Sequence, residues 1–200
     1  MNADVVRRNL ESMHAVAGPG VTIVAATKYV PLHAMGVLAE AGVNVVGENR
    51  AQDLLAKHAA YGSVFRWHFI GHLQSNKAKA VSGLCELVHS LGSDSAAGRL
   101  TTAALLEVNL SEEASKSGIS PDEIGPFLER HPGLVSGLMT MPPLAADPEA
   151  SRPWFRRLRS LAESHGLALL SMGTSQDWRV AVEEGATHIR VGSTLFGLDP

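Results

Sequence analysis

Cysteine is almost missing from this chain. Cys85 stands alone, which excludes an internal disulfide and makes a reducing compartment the expected setting. Its side chain reads as a small buried hydrophobe beside a strand rather than a catalytic thiol. An excess of positive charge is also lacking. The 17 Lys and Arg stand against 20 Asp and Glu, for a formal net charge of −3. With no basic run either, a nucleic-acid partner is not expected. No segment approaches about 18 unbroken apolar residues, so no membrane-spanning helix is expected. The opening MNADVVRRNLESMHAVAG lacks the continuous apolar stretch and cleavage pattern of a signal peptide. These absences lead to the expectation of a soluble cytoplasmic protein. What is present is ordinary for a globular fold: 45% apolar and 18% charged residues over 200 positions. That length suits one domain, 1–200, with one substantial core.

Short apolar runs alternate with amphipathic stretches along the chain. The runs fall at 21–27, 43–47, 67–71, 87–91, 104–110, 135–141, 167–172 and 188–196. Each is bounded by Gly, Pro or polar residues, as buried parallel strands are. Helix signals lie between them. Val6, Leu10, Met13 and Ala17 form one apolar stripe ahead of the first run. Pro31 suits a first helical turn that runs to Ala41 and stops at Gly42. Ser120, Pro121 and Glu123 open another helix, Ser175 and Asp177 a further one, and 149–165 is the longest. Eight strands alternating with helices predict a (β/α)8 TIM-type barrel, trimmed below the usual length of about 250 residues. An open doubly wound sheet ranks second, because no Gly-rich turn follows the first run. Nothing after 188–196 leaves room for a closing helix, so the N-terminal helix is expected to cover that side.

Chemistry in such a barrel gathers at the carboxyl ends of the strands. Polar residues do collect there: Lys28, Glu48, Asn49, His89, Ser90, Glu107, Asn109, Ser171, Arg190, Gly192 and Ser193. An ammonium at the inner end of the apolar Ala25-Ala26-Thr27 strand is expected to be poorly solvated. Desolvation lowers a lysine's pKa and frees the amine to attack a carbonyl. The plainer alternative is a lysine that snorkels to the rim or pairs with Glu48. Small residues at Ser171-Met172-Gly173 and Gly192-Ser193 would let a phosphate approach backbone N–H groups after strands seven and eight. A buried Arg190 needs an acceptor: Glu48, Glu107 or an atom of a bound cofactor.

Seven blocks together resemble a known family. They are ATK at 26–28, GEN with Gln52, WHFIGHLQSNK at 67–77, VNLSEEASKSGI at 108–119, GLMTMPP at 137–143, LSMGTSQDW at 170–178 and IRVGSTLFG at 189–197. They resemble the pyridoxal phosphate homeostasis proteins (YggS/PROSC family) over most of the chain. The resemblance implies a barrel like the N-terminal domain of alanine racemase, with pyridoxal 5′-phosphate (PLP) as cofactor. It implies a Schiff base on Lys28, Asn49 near the ring, and Arg190 facing the pyridine nitrogen. Ser171, Met172, Gly192 and Ser193 would hold the phosphate, and His68 would lie near the ring or support its neighbours. Lys116 is a second candidate attachment lysine, with a surface position beside Glu112 and Glu113 as the alternative. Between His89 and Asn109 the chain is roughly ten residues shorter than the family pattern, so a brief helix is expected there. MGTS stands in place of MGMS, and Gly-Ser in place of Gly-Thr.

The residues bear on enzyme versus carrier. PLP enzymes that use the ring as a strong electron sink set a carboxylate at the ring nitrogen, whereas an arginine there only donates. A racemase also needs an acid–base group opposite Lys28, and neither Tyr29 nor Tyr61 lies in a block that would supply it. The expected protein is therefore a non-catalytic PLP binder that buffers the cofactor or delivers it to apo PLP-dependent enzymes, and a monomer. The alternative is an amino-acid racemase or lyase using Lys28. A Schiff-base aldolase lacks a lysine on strand six. A zinc site from His68, His72 and His89 lacks a shared helix face.

Overall fold

Eight parallel strands close on one another in the computed structural model, which describes residues 1–111 and 117–198. In chain order they are β1 (Thr22–Ala26), β2 (Val45–Glu48), β3 (Arg66–Phe69), β4 (Leu87–Leu91), β5 (Ala103–Glu107), β6 (Val135–Met139), β7 (Leu169–Thr174) and β8 (His188–Val191). Each pairs with the next in sequence. β8 returns to β1 through a register running from Thr22↔His188 to Ala25↔Val191. The expected barrel is therefore the observed one, and every strand lies within one of the apolar runs, give or take two residues.

Helices cover the outside: α1 (Ala3–Ala17), α2 (Met35–Glu40), α3 (Ala51–Tyr61), α4 (Ser75–Ser82), α5 (Asp94–Ala97), α6 (Ile124–Arg130), α7 (Arg152–Ser164), α8 (Trp178–Glu183) and α9 (Ser193–Phe196). Alternation along each strand sends one set of side chains outward to these helices and the other into the barrel. Ala25, Val46, Phe69, Val88, Leu138 and Ile189 join the large outer core. Leu87, Leu105, Met139 and Leu169 form a separate small cluster of their own. The connection between β4 and β5 carries only the four-residue α5, as the shortened segment required.

One expectation fails at the C-terminal end. The run 188–196 predicts a single strand with no helix to follow. In fact β8 stops at Val191, and Ser193–Phe196 forms the one-turn α9, ended by Gly197 at φ 67°. Four residues, two of them apolar, do not distinguish a strand from one helical turn, and the chain leaves the sheet at Gly192. The N-terminal helix does cover this side. α1 packs against α9, and Asn9 Nδ2 donates to the carbonyls of Thr194 and Leu195 at 3.1 Å each.

At the other edge of the mouth, β2 and β3 end unusually close together. A Cβ placed on Gly71 would sit 1.9 Å from the carbonyl oxygen of Asn49. No side chain fits there without moving backbone. Gly71→Ala is expected to lower stability by about 1–3 kcal/mol, as overpacking does. Urea denaturation checks this, and an unchanged midpoint contradicts it.

Candidate functional site

The carboxyl ends of the strands open into a cleft of about 790 Å³. Lys28, Asn49, Arg190, Gly192 and Ser193 all line it, together with Thr174, Ser175 and Gln176. Five of the expected site residues thus meet in one place. The chain positions each of them differently.

Lys28 lies beyond the strand rather than in it. β1 ends at Ala26, and Thr27 to Val30 make a turn closed by the Val30 N–H donating to the Thr27 carbonyl at 2.9 Å. Lys28 and Tyr29 are its two central residues. Lys28 is exposed, with Nζ 4.7 Å from the centre of the Tyr29 ring. The expected desolvation of this amine is therefore corrected, because the turn lifts it off the apolar strand into the open cleft.

Glu48 does not pair with Lys28 either. Its Oε1 accepts from Lys57 Nζ and from Thr27 Oγ1, both at 2.5 Å. Asn49 follows directly and reaches the cleft. Its Oδ1 is buried with no hydrogen-bond partner among the described residues.

Arg190 is buried on β8, but its partners are neither Glu48 nor Glu107. It donates to Ser171 Oγ, to the Thr140 carbonyl at 3.1 Å and to Met141 Sδ at 2.8 Å. Burial pushes its guanidinium down to about 10, against the opposing pull of Glu107 and then Asp177. At neutral pH it therefore remains a buried positive charge whose hydrogen-bond partners are all neutral.

Of the four residues expected at the phosphate, Gly192 and Ser193 line the cleft and Ser171 and Met172 do not. Ser171 is fully buried and does not line the cleft. Met172, also fully buried, belongs to the outer core. Strand alternation accounts for this. Ser171 points into the barrel, Met172 points to the helices, and the mouth begins only at Thr174. Gly173 serves packing: at φ 91°, a Cβ on it would lie 2.5 Å from Ala181 Cβ on α8. The turn after β7 brings Ser175 to the cleft, where its Oγ accepts from the Gly192 N–H at 3.0 Å. Asp177 shapes that turn by accepting from the Thr174 N–H at 2.7 Å and from Ser151 Oγ at 2.7 Å. No sequence signal separated Ser175 from the helix cap it was read as.

His68 lies inside the barrel below the mouth. Its Nδ1 is 2.9 Å from His89 Nε2, and His89 Nδ1 is 2.7 Å from Ser171 Oγ. Ser171 Oγ accepts from Arg190 and so links the guanidinium to the two imidazoles in one chain of hydrogen bonds. His188 completes the group, with ring centres 5.8 Å from His68 and 5.4 Å from His89. His68 is buried and does not line the cleft. His72 is exposed and stands apart from them. Lys116 lies outside the described residues. Cys85 is buried, and burial pushes its thiol up to about 12, so it remains a protonated small hydrophobe.

Burial holds His68 down to about 3, with His188 and Arg66 adding to it. It holds His188 down to about 4, aided by Arg190 and Arg66. His89 is lowered well below 6.5, by burial first and then by His68, Arg190 and His188. All three are neutral in the fold at pH 5 but protonate in the unfolded chain below 6.5. The unfolded state then binds more protons, so stability is full above pH 6.5 and falls as the pH drops toward about 4. Each histidine contributes a slope of up to about 1.4 kcal/mol per pH unit. Urea midpoints at pH 7 and pH 5 are expected to show this loss, and His188→Gln to reduce it. Equal slopes in the two proteins would contradict the assignment.

The family model for the alanine racemase N-terminal domain matches residues 1–200. That fixes the class of barrel. The pyridoxal phosphate homeostasis protein of Aquifex aeolicus (strain VF5) is 40% identical over 195 residues, covering 88% of this chain and 86% of the relative. That of Pseudomonas aeruginosa is 36% identical over 213 residues, covering 98% and 93%. Among solved structures, PipY of Synechococcus elongatus PCC7942 matches in forms without PLP and with PLP bound. The TM-scores are 0.88 and 0.86, at 33% identity, covering 96% of this chain and 100% of PipY. The chain belongs to the pyridoxal phosphate homeostasis family. Alanine racemase of Corynebacterium glutamicum shares the fold alone, at 19% identity, TM-score 0.75 and 62% of its own length.

Proposed function

We propose that this chain binds PLP as a Schiff base on Lys28 and buffers or delivers the cofactor without turning over a substrate. The observation that carries the reading is the set of polar groups in the cleft. One mouth gathers an exposed primary amine at Lys28, a buried guanidinium at Arg190 with neutral partners, and an Asn49 Oδ1 with no partner among the described residues. An aldehyde that carries an anionic phosphate and a ring nitrogen acceptor suits the amine and the guanidinium of that set. The family membership and the PLP-bound form of PipY support it. PLP, when bound, supplies an electrophilic carbonyl and an electron-accepting ring.

The residues then divide the work. Lys28 attaches the cofactor, and Asn49 orients its ring. Arg190 donates to the ring nitrogen and keeps it unprotonated. The backbone around Gly192 and Ser193, with Ser175 and Thr174 beside it, holds the phosphate. Ser171, His89 and His68 hold Arg190 in place rather than touching the cofactor.

Carriage rather than catalysis rests on the same geometry. Arg190 in place of a carboxylate weakens the electron sink. Tyr29, which lines the cleft, is 85% exposed, an unsuitable setting for a water-excluded base. The cleft opens to solvent, which suits exchange with apo PLP-dependent enzymes by a monomeric, cytoplasmic carrier. The PLP-loaded protein is expected to restore activity to an apo PLP enzyme on mixing. It is also expected to produce no D-alanine from L-alanine over hours. Racemisation that disappears in Lys28→Ala would overturn the carrier reading in favour of a racemase.

A further inference from the structure

A buried ion pair lies directly behind the lysine turn, and neither the site residues nor the family comparison assigns it a role. Lys57 on α3 is 6% exposed and Glu48 on β2 is fully buried. Lys57 Nζ donates to Glu48 Oε1 at 2.5 Å and to the carbonyl oxygen of Thr27 at 2.8 Å. That carbonyl is the same one that closes the turn to Val30. Thr27 Oγ1 in turn donates to Glu48 Oε1 at 2.5 Å, with the Gly47 carbonyl 3.2 Å from the same hydroxyl. One ammonium therefore ties together α3, the last residue of β2 and the first residue of the turn that carries Lys28. The next residue after Glu48 is Asn49.

Burying an ion pair seldom adds net stability, since desolvation offsets the attraction. Its geometry, by contrast, is specific. The β1–β2 ladder ends at Ala26↔Gly47, and only the Thr27 N–H to Gly47 carbonyl bond at 3.0 Å follows it. Beyond that point the strand no longer dictates where the chain goes. We infer that Lys57 and Glu48 are positioning residues. They fix the Thr27–Val30 turn and so set the direction in which Lys28 and Asn49 meet the cofactor. The cofactor half of this statement rests on the PLP reading above, while the turn half does not.

The test compares the parent with the paired variant Glu48→Leu/Lys57→Met, which removes both charges and leaves none stranded. Lys57→Met alone strands Glu48 and serves only as a stability control. Thermal unfolding of the paired variant is expected at or above the parent's temperature. Hydrogen exchange of the Val30 amide in the unloaded protein is expected to speed up about tenfold or more, while amides of β4 to β7 exchange as before. After loading, PLP dissociation is expected to be about 10- to 100-fold faster, the range typical of lost outer-shell support. The visible circular dichroism of the bound cofactor is also expected to change. A paired variant with parental Val30 exchange, dissociation and dichroism would overturn the inference. If the parent itself takes up no PLP, the proposed function fails, and the Val30 exchange alone decides the role of the pair.

Discussion

Closure of the sheet is the constraint on which everything else depends. Once β8 pairs with β1, all eight parallel strands end on one face, and residues scattered from Lys28 to Ser193 become neighbours. Closure also divides the side chains of every strand into an outer set facing helices and an inner set enclosed by the barrel. Polar residues in the inner set must then find partners across the barrel. His68, His89, Ser171 and Arg190 do so, in a line that crosses from β3 to β8. The cleft sits on top of that line, so the guanidinium at its floor is oriented from below.

The architecture was legible because it is written in periodicity and punctuation. Short runs separated by Gly, Pro and capping residues marked all eight strands. The α1 stripe of Val6, Leu10 and Met13 is buried as its spacing required. Ser120 starts its helical segment with the Glu123 carboxylate accepting from its N–H at 2.9 Å. Position along a strand was also readable, and it placed Lys28, Asn49, Arg190, Gly192 and Ser193 at the mouth.

What stayed hidden was depth and phase. Ser171 and Met172 lie in a family block, but a block does not say which face of β7 each residue takes. Lys57 is one more polar letter on α3, with nothing local to indicate burial. Its partners Thr27 and Glu48 are 30 and 9 residues away in sequence. His188 opens β8 like any strand residue, and only closure brings it against His68 and His89. Lys28 shows the same limit from the other side. Its strand predicted desolvation, but a turn of two residues was enough to place it in the open.

The account stands or falls on the covalent partner of the cofactor. The direct measurement is to load the protein with PLP, reduce it with borohydride, digest it and map the pyridoxyl group by mass spectrometry, with Lys28→Ala treated in parallel. The account predicts the modification on Lys28 in the parent and none at that position in the variant, together with loss of the visible absorbance that borohydride removes. A pyridoxyl group found on another lysine, or a protein that takes up no cofactor, would contradict it.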